Sequence, residues 1–185
     1  MEHEHRARHL VLLSGGLDSA AALALLKDEG CAATALTIDY GQAAREQELR
    51  AAKAVSSHYG VPLEVITVRH GRSLATGEVA GRNAFLISTA ACLSETRGGL
   101  IVTGIHAGTR YYDCSTAFLD SMSRLIEEQS DGARRLLSPF AEWSKVEVFA
   151  FAKKANLPIA LTYSCEAGTD PPCGLCASCR DREAL

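Results

Sequence analysis

A glycine-centred segment near the N-terminus has the composition of an anion-binding loop. Glycines let the backbone approach a ligand closely, and the free N–H groups and dipole of a helix start favour negative charge. The segment follows the apolar run 10–13 and precedes the alanine- and leucine-rich run 20–27, the order of a strand, a turn and a helix. It therefore predicts a phosphate-binding loop, with an ordinary glycine turn as the alternative. The loop residues are Ser14, Gly15, Gly16, Leu17, Asp18 and Ser19.

The chemistry of this loop differs from that of a Walker-type nucleotide site, because no lysine follows its glycines at the required spacing. Asp18 lies where a magnesium ion bound to phosphate oxygens would need a carboxylate, and magnesium prefers hard oxygen ligands. An aspartate at this position can also cap the following helix. The two roles are compatible, and the sequence predicts a magnesium–phosphate site that includes Asp18.

Four of the seven cysteines lie close together near the C-terminus, in the pattern Cys-x7-Cys-x2-Cys-x2-Cys. They are Cys165, Cys173, Cys176 and Cys179. Four thiolates without a histidine are typical of a closed tetrahedral zinc site, although an iron–sulfur cluster uses the same ligand set. A site of this kind has no open coordination position, so the sequence predicts a structural zinc element over residues 163–181.

Short apolar runs alternate with helical patterns along the chain. Candidate strands cover residues 10–13, 33–38, 63–68 and 100–103, with a further candidate at 136–140. Candidate helices cover residues 20–27, 43–59, 83–97, 115–129 and 145–155, and residues 69–81 are predicted to be a loop. This alternation predicts an α/β fold, a parallel sheet with helices on both faces. Because ligands bind at the carboxyl ends of such strands, we expect the glycine loop, residues 39–42 and residues 103–107 to converge.

Length and charge favour one enzyme domain over residues 1–185 that acts on small molecules. The chain has 185 residues, 47% of them hydrophobic, which is enough for a sizeable core. A net charge of −3 argues against a nucleic-acid partner but is compatible with a small anionic ligand. No apolar run reaches the roughly 20 residues that span a bilayer, and the start lacks the apolar core of a signal peptide, so we expect a cytoplasmic protein without membrane contact.

Five sequence islands in this order resemble the 7-cyano-7-deazaguanine synthases, the queuosine-pathway branch of the ATP pyrophosphatases. The islands are residues 12–19, 39–42, 82–83, 112–114 and 161–165 running into 173–180. The resemblance implies an ATP-dependent carbon–nitrogen ligase that adenylates 7-carboxy-7-deazaguanine, forms the amide with ammonia and dehydrates it to the nitrile. It also implies structural Zn²⁺, Mg²⁺ with ATP, and a homodimer.

Site residues follow from the same resemblance. The six loop residues would hold the ATP phosphates, and Arg82 and Asn83 would contact the nucleotide. Asp18 and Lys145 are the implied catalytic pair, because a lysine can neutralise charge that develops on the phosphates. A lysine on a helix surface is the alternative for Lys145.

The implied contacts to the purine-like base are made by Asp113 and Tyr112. A carboxylate can accept hydrogen bonds from the amino and ring N–H groups of a guanine edge, and a turn aspartate is the alternative. The neighbouring Cys114 could act as a thiolate nucleophile, but the sequence supplies it with no obvious base, so a packing role is favoured.

The chain departs from the family pattern at several positions. Ser115 and Thr116 replace the usual Arg-Pro, Tyr163 replaces a tryptophan, and the segment before Arg82 is short. A shortened segment could admit a larger amine. A ligase that stops at an amide, with the amine of a partner protein as acceptor in an antiviral defence system, is therefore an alternative function. A non-catalytic adenine-nucleotide sensor is a second one.

Overall fold

The described residues 8–69, 79–109 and 111–185 of the computed structural model contain a five-stranded parallel sheet. Its strands are β1 (His9–Leu12), β2 (Ala33–Asp39), β3 (Leu63–Thr67), β4 (Gly99–Val102) and β5 (Arg134–Leu137). They lie in the order β3-β2-β1-β4-β5, and every neighbouring pair is parallel. The order reverses between β1 and β4. This is the switch point at which open α/β sheets form a ligand-binding crevice.

Helices cover both faces of this sheet. They are α1 (Leu17–Asp28), α2 (Arg45–His58), α3 (Arg82–Leu93), α4 (Thr116–Gln129), α5 (Lys145–Lys154) and α6 (Ala177–Glu183), with short 3-10 helices at Tyr112–Cys114 and Ile159–Leu161. Buried side chains of α1, α2 and α5 form one core with the sheet, and those of α3 and α4 form the other. The predicted α/β fold, with a parallel sheet between two helical layers, is confirmed.

Burial explains the sequence of the central elements. β2 is buried at six consecutive positions because it has a strand on each side and a helix layer on each face. α1 is rich in alanine and leucine on all its faces and is almost wholly buried between the sheet and α5. The edge strand β3 is only half-buried, which fits its mixed composition.

The predicted start of α1 and the predicted end of α3 were wrong. α1 begins at Leu17, three residues earlier than predicted, so Asp18 lies in its first turn. α3 ends at Leu93 rather than at residue 97, because Ser94 is extended and buried and its hydroxyl donates to Glu64.

The predicted last strand, residues 136–140, was also displaced. It lies at Arg134–Leu137, and Phe140 instead forms an isolated parallel bridge with His106. Of the predicted loop 69–81, residues 70–78 lie outside the described residues. No helix in the described ranges is both long and apolar enough to span a membrane.

Candidate functional site

The glycine loop joins β1 to α1 and packs tightly against α2. Gly15 has a φ of +84°, and a Cβ there would lie 2.5 Å from the carbonyl oxygen of Glu48 and 2.9 Å from the Cβ of Ala51. Only glycine fits both the left-handed backbone and this close approach. Gly16 is the N-cap of α1 and Leu17 is buried, so the loop places the first N–H groups of α1 at the carboxyl end of β1.

Two hydroxyl groups hold the loop in shape. Ser19 Oγ donates to the carbonyl of Gly16 at 3.0 Å and accepts from the N–H of Ser14 at 3.2 Å. The two serine Oγ atoms are 3.1 Å apart, and the N–H of Gly16 donates to Ser14 Oγ at 3.3 Å. These hydrogen bonds among Ser14, Gly16 and Ser19 define the shape of the loop.

Asp18 is the centre of a charged cluster at the switch point. Its two carboxylate oxygens each lie 2.5 Å from Lys145 Nζ, and Oδ2 lies 3.8 Å from His106 Nε2. The side chains of Lys145 and Asp18 are both mostly buried. Lys145 therefore reaches into the site rather than lying on a helix surface. α1 has no side-chain cap, so Asp18 does not cap it.

The loop that follows β4 presses against the start of α1. A Cβ on Gly104 would lie 2.5 Å from the backbone carbon of Asp18 and 2.7 Å from the N–H nitrogen of Ser19. His106, which follows in the same loop, faces Asp18. The glycine loop and residues 103–107 therefore converge as predicted.

Arg82, Asn83, Tyr112 and Asp113 form a second group, at the start of α3. Asp113 Oδ2 accepts from the backbone N–H of Asn83 at 3.1 Å, and Asn83 Nδ2 donates to the carbonyl of Asp113 at 2.9 Å. Asp113 thus takes the capping role that the N-cap Gly81 cannot supply. Tyr112 is 70% exposed and contacts Phe118 edge-on.

Cys114 lies in the same group and has a structural environment. Its Sγ accepts a hydrogen bond from Asn83 Nδ2 at 3.4 Å, and its side chain packs against the core below α3 and α4. These contacts agree with the packing role that the sequence favoured.

Glu48 of α2, which the sequence-based site assignment did not include, is hydrogen-bonded to Gln42 after the end of β2. Gln42 Nε2 donates to Glu48 Oε2 at 2.8 Å, and Gln42 Oε1 accepts from the N–H of Tyr40 at 3.0 Å. Burial raises the pKa of Glu48, while Gln42 and Arg82 oppose this shift. From the sequence, residues 39–42 were expected near the site. Nothing in the sequence pointed to Glu48, because this residue lies among other charged residues of α2 and only its burial distinguishes it.

The four C-terminal cysteines lie together as predicted. Their sulfur atoms are all within 4.8 Å of one another, and those of Cys173 and Cys179 are 4.0 Å apart. Zinc–sulfur bonds of about 2.3 Å imply about 3.8 Å between sulfurs in a tetrahedral site. The cluster therefore fits a four-thiolate metal ion. All seven cysteines are free of disulfides.

Backbone N–H groups help to ionise this cluster. The N–H groups of Cys173 and Cys179 donate to Cys165 Sγ and Cys176 Sγ at 3.3 and 3.4 Å. Burial disfavours the Cys165 thiolate, but the hydrogen bonds from Cys173 and Tyr163 outweigh it and lower the pKa of Cys165 to about 5. Burial and the Cys176 thiol raise the pKa of Cys179 to about 12. A bound metal ion would therefore displace protons from the cluster.

The element that carries the four cysteines is attached directly to the glycine loop. The N–H of Tyr163 donates to the carbonyl of Gly15 at 2.9 Å. In α6, Arg182 donates to the carbonyls of Thr162 and Ile159 at 3.0 and 2.9 Å, which fixes the helix against the preceding segment. A Cβ on Gly168 would clash with the carbonyl of Ala43. The element therefore also packs closely against the residues that precede α2.

Comparison with known proteins identifies the family. The family described as queuosine biosynthesis protein QueC matches residues 8–78 and 70–184 of this chain. The chain belongs to the QueC family. Its sequence is 36% identical over 205 residues to a 7-cyano-7-deazaguanine synthase of Synechococcus sp. (strain RCC307), covering 95% of this chain and 92% of that protein. A synthase of the same name from Desulforudis audaxviator (strain MP104C) is 32% identical over 206 residues, covering 94% of each chain.

Solved structures agree with the QueC-family fold. A predicted tRNA methyltransferase subunit from Methanocaldococcus jannaschii superimposes with a TM-score of 0.55 at 15% identity, covering 79% of this chain and 74% of that one. The U34-tRNA thiolase NcsA from Methanococcus maripaludis, solved with its [4Fe-4S] cluster, gives 0.54 at 13% identity, covering 97% and 64%. At these identities the likeness concerns the fold alone. The prediction of an ATP-using enzyme of the ligase type is confirmed by the family to which the chain belongs.

Proposed function

We propose that this chain converts 7-carboxy-7-deazaguanine, ammonia and ATP into 7-cyano-7-deazaguanine. The carboxylate oxygen attacks the α-phosphorus of ATP and pyrophosphate leaves. Ammonia then attacks the acyl carbon and AMP leaves, which gives the amide. The amide oxygen attacks a second ATP, pyrophosphate leaves again, and loss of AMP and a proton gives the nitrile. The name shared by the relatives, 7-cyano-7-deazaguanine synthase, supports this product.

One observation carries the proposal: the paired Asp18 and Lys145 beside the glycine loop at the switch point. The loop N–H groups and the start of α1 would bind the phosphates, and Lys145 would compensate charge on the leaving pyrophosphate. Asp18 is a hard oxygen donor with its side chain partly open to solvent, so it fits a magnesium ligand. Magnesium, when bound, would shield phosphate charge and hold the α-phosphate for in-line attack.

The second group would bind the deazaguanine. Oδ2 of Asp113 is engaged with Asn83, and the other carboxylate oxygen would accept from the amino and ring N–H groups of the base. The exposed ring of Tyr112 offers an apolar surface beside it. Arg82, within electrostatic reach of Tyr40 and Glu48, would contact the nucleotide.

The proposed metal of the cysteine cluster is zinc, in a structural role. Four sulfur ligands complete a tetrahedral zinc site and leave no position for substrate. The attachment of Tyr163 to Gly15 supports this role, because the element buttresses the phosphate loop. We also propose a single catalytic domain over residues 1–185 that forms a homodimer, which light scattering would test.

The function is tested by incubating the protein with ATP, Mg²⁺, ammonium and the carboxy-deazaguanine, followed by mass spectrometry. The expected products are the nitrile, AMP and pyrophosphate. An amide as the only product would overturn the dehydration step and favour the ligase alternative, with a protein amine as the acceptor to be sought. Nucleotide binding without pyrophosphate release would overturn the enzyme assignment and leave the sensor.

A further inference from the structure

Arg134 is a buried arginine far from the proposed nucleotide site. It is 5% exposed and begins β5, opposite Gly99 at the start of β4. In a parallel sheet these amino ends lie at the edge opposite the carboxyl ends, where the glycine loop is. The mechanism proposed above gives Arg134 no role.

The guanidinium of Arg134 is only partly satisfied. Nη1 donates to the carbonyl of Ala91 at 2.5 Å and lies 3.5 Å from that of Ala90, at the C-terminal end of α3. Nη2 is buried and has no hydrogen-bond partner among the described residues. No carboxylate within those residues forms an ion pair with Arg134. A buried cation with an unpaired donor is costly, so a compensating anion would be stabilising.

A cavity of about 410 Å³ adjoins this arginine. It lies between the C-terminal ends of α3 and α4 and the start of β5. Its lining residues are Ala91, Cys92, Ile126, Gln129, Ser130 and Arg134. The volume exceeds that of a phosphate ion, so a phosphate or carboxylate group with a small substituent would fit.

Charges around the cavity favour an anion. Arg97 is close enough to act on Arg134, and burial together with Arg97 lowers the pKa of Arg134. The acidic groups that act on Arg134 are the Cys92 thiol, which lines the cavity, and the Glu64 carboxylate. Glu64 already accepts from Ser94 Oγ at 2.9 Å and from the N–H of Glu95 at 3.1 Å. The helix carbonyls here carry partial negative charge, but Arg134 Nη1 and Ser130 Oγ already bond to carbonyls of both helices.

We propose that this cavity binds a small oxyanion, a phosphate or carboxylate group, through Arg134, with Gln129 and Ser130 as polar neighbours. The site is separate from the nucleotide cradle and independent of the proposed reaction. Its occupant would form the ion pair that Arg134 does not form with any carboxylate of the described residues.

Three variants and the wild type test the site, with inorganic phosphate and acetate as probes at constant ionic strength. The midpoint of thermal unfolding is followed during titration of the wild type, Arg134→Met, Cys92→Asp and Cys92→Ser. Cys92 lines the cavity, so an aspartate there places an internal carboxylate near Arg134. We expect the wild type and Cys92→Ser to be stabilised by at least one probe. Arg134→Met and Cys92→Asp should bind it about tenfold or more weakly, the loss expected for a charged hydrogen bond.

The outcomes separate clearly. No stabilisation of the wild type by either probe, or equal responses of Cys92→Asp and Cys92→Ser, would overturn the assignment. If Arg134→Met fails to fold, the two Cys92 variants decide the question. Stabilisation by ATP should be unchanged in Cys92→Asp. If Cys92→Asp loses stabilisation by ATP as well as by phosphate, the substitution has disturbed the whole fold, and the proposed site would also be overturned.

Discussion

Lys145 Nζ contacts both carboxylate oxygens of Asp18 at 2.5 Å, although the two residues are 127 positions apart in the chain. Lys145 is the first residue of α5, and a capping box between Ser144 and Glu147 fixes that helix start. In this ion pair the ammonium group of Lys145 compensates the charge of the Asp18 carboxylate. Phosphates that enter the cradle would offer Lys145 a competing partner and would release Asp18 to bind magnesium.

Removal of the Asp18 carboxylate should abolish pyrophosphate release and leave the fold intact. Asp18→Ala removes the proposed magnesium ligand, while the glycines and serines that shape the loop remain. Pyrophosphate release is measured with a coupled assay, and circular dichroism checks the fold. Asp120→Ala, at an exposed position on α4, is the matched control and should behave as wild type. Undiminished turnover of Asp18→Ala would contradict the assignment.

Substitution of Asp113 should separate its capping role from its proposed base contact. Asp113→Ala loses the bond to the Asn83 N–H and should cost about 0.5–2 kcal/mol of stability. It should also weaken binding of the carboxy-deazaguanine by about 1.5–3 kcal/mol.

Asp113→Asn is the more selective variant. It keeps an acceptor for the cap, so its stability should stay near wild type while base binding falls and ATP binding is unchanged. Calorimetric titration of both ligands measures this. If Asp113→Asn binds the base as tightly as the wild type, Asp113 is a structural residue only.

Alanine at Gly104 should damage the proposed nucleotide site through a steric clash. Its Cβ would lie within 2.7 Å of backbone atoms of Asp18 and Ser19, which cannot rotate away. Overpacking of this kind costs about 1–3 kcal/mol, and the displaced loop should lose ATP affinity. Gly98→Ala is the control, because its nearest neighbour would be 3.7 Å away. Equal urea unfolding curves and ATP affinities for the two variants would refute the argument.

Loss of one thiolate should destabilise the fold before it affects chemistry. Cys176→Ser, or treatment with a chelator, should remove the metal and lower the unfolding temperature by about 4 °C or more, the shift that about 1–2 kcal/mol produces in a domain of this size. Elemental analysis should find zinc in the wild type and in Cys92→Ser but not in Cys176→Ser. A metal-free variant with the stability of the wild type would show that the cluster is not structural.

Stability should depend on pH through Glu48. Burial raises the pKa of Glu48 in the folded state above its ordinary value, so the folded protein binds that proton more tightly than the unfolded chain. The contribution of Glu48 is therefore greatest at low pH and falls as the pH rises through the folded-state pKa. Glu48→Gln should gain stability relative to wild type as the pH rises from about 4 to about 7.

Urea unfolding across this range measures the effect of Glu48→Gln. Glu46→Gln, at a largely exposed position of the same helix, should show no such trend. Parallel pH profiles for the wild type and Glu48→Gln would contradict the prediction.

The sequence predicted those features that depend on local pattern. The loop geometry followed from adjacent glycines, and the cysteine cluster followed from spacing. The contact between Asp18 and His106 depends on β4 lying beside β1, which no local pattern encodes. Arg134 and Glu48 occur in charged segments that resemble exposed surface, and only tertiary packing buries them.

The hydrogen bond from Tyr163 to Gly15 joins the first loop of the chain to one of its last segments. During synthesis, β1 and the glycine loop leave the ribosome long before Tyr163 and the cysteines that follow it. Until Tyr163 has emerged the Gly15 carbonyl lacks this partner, and until Lys145 has emerged Asp18 lacks its ion-pair partner. A chain that stops before Tyr163 thus lacks part of the support of the glycine loop, so this loop is completed only after synthesis has passed Tyr163.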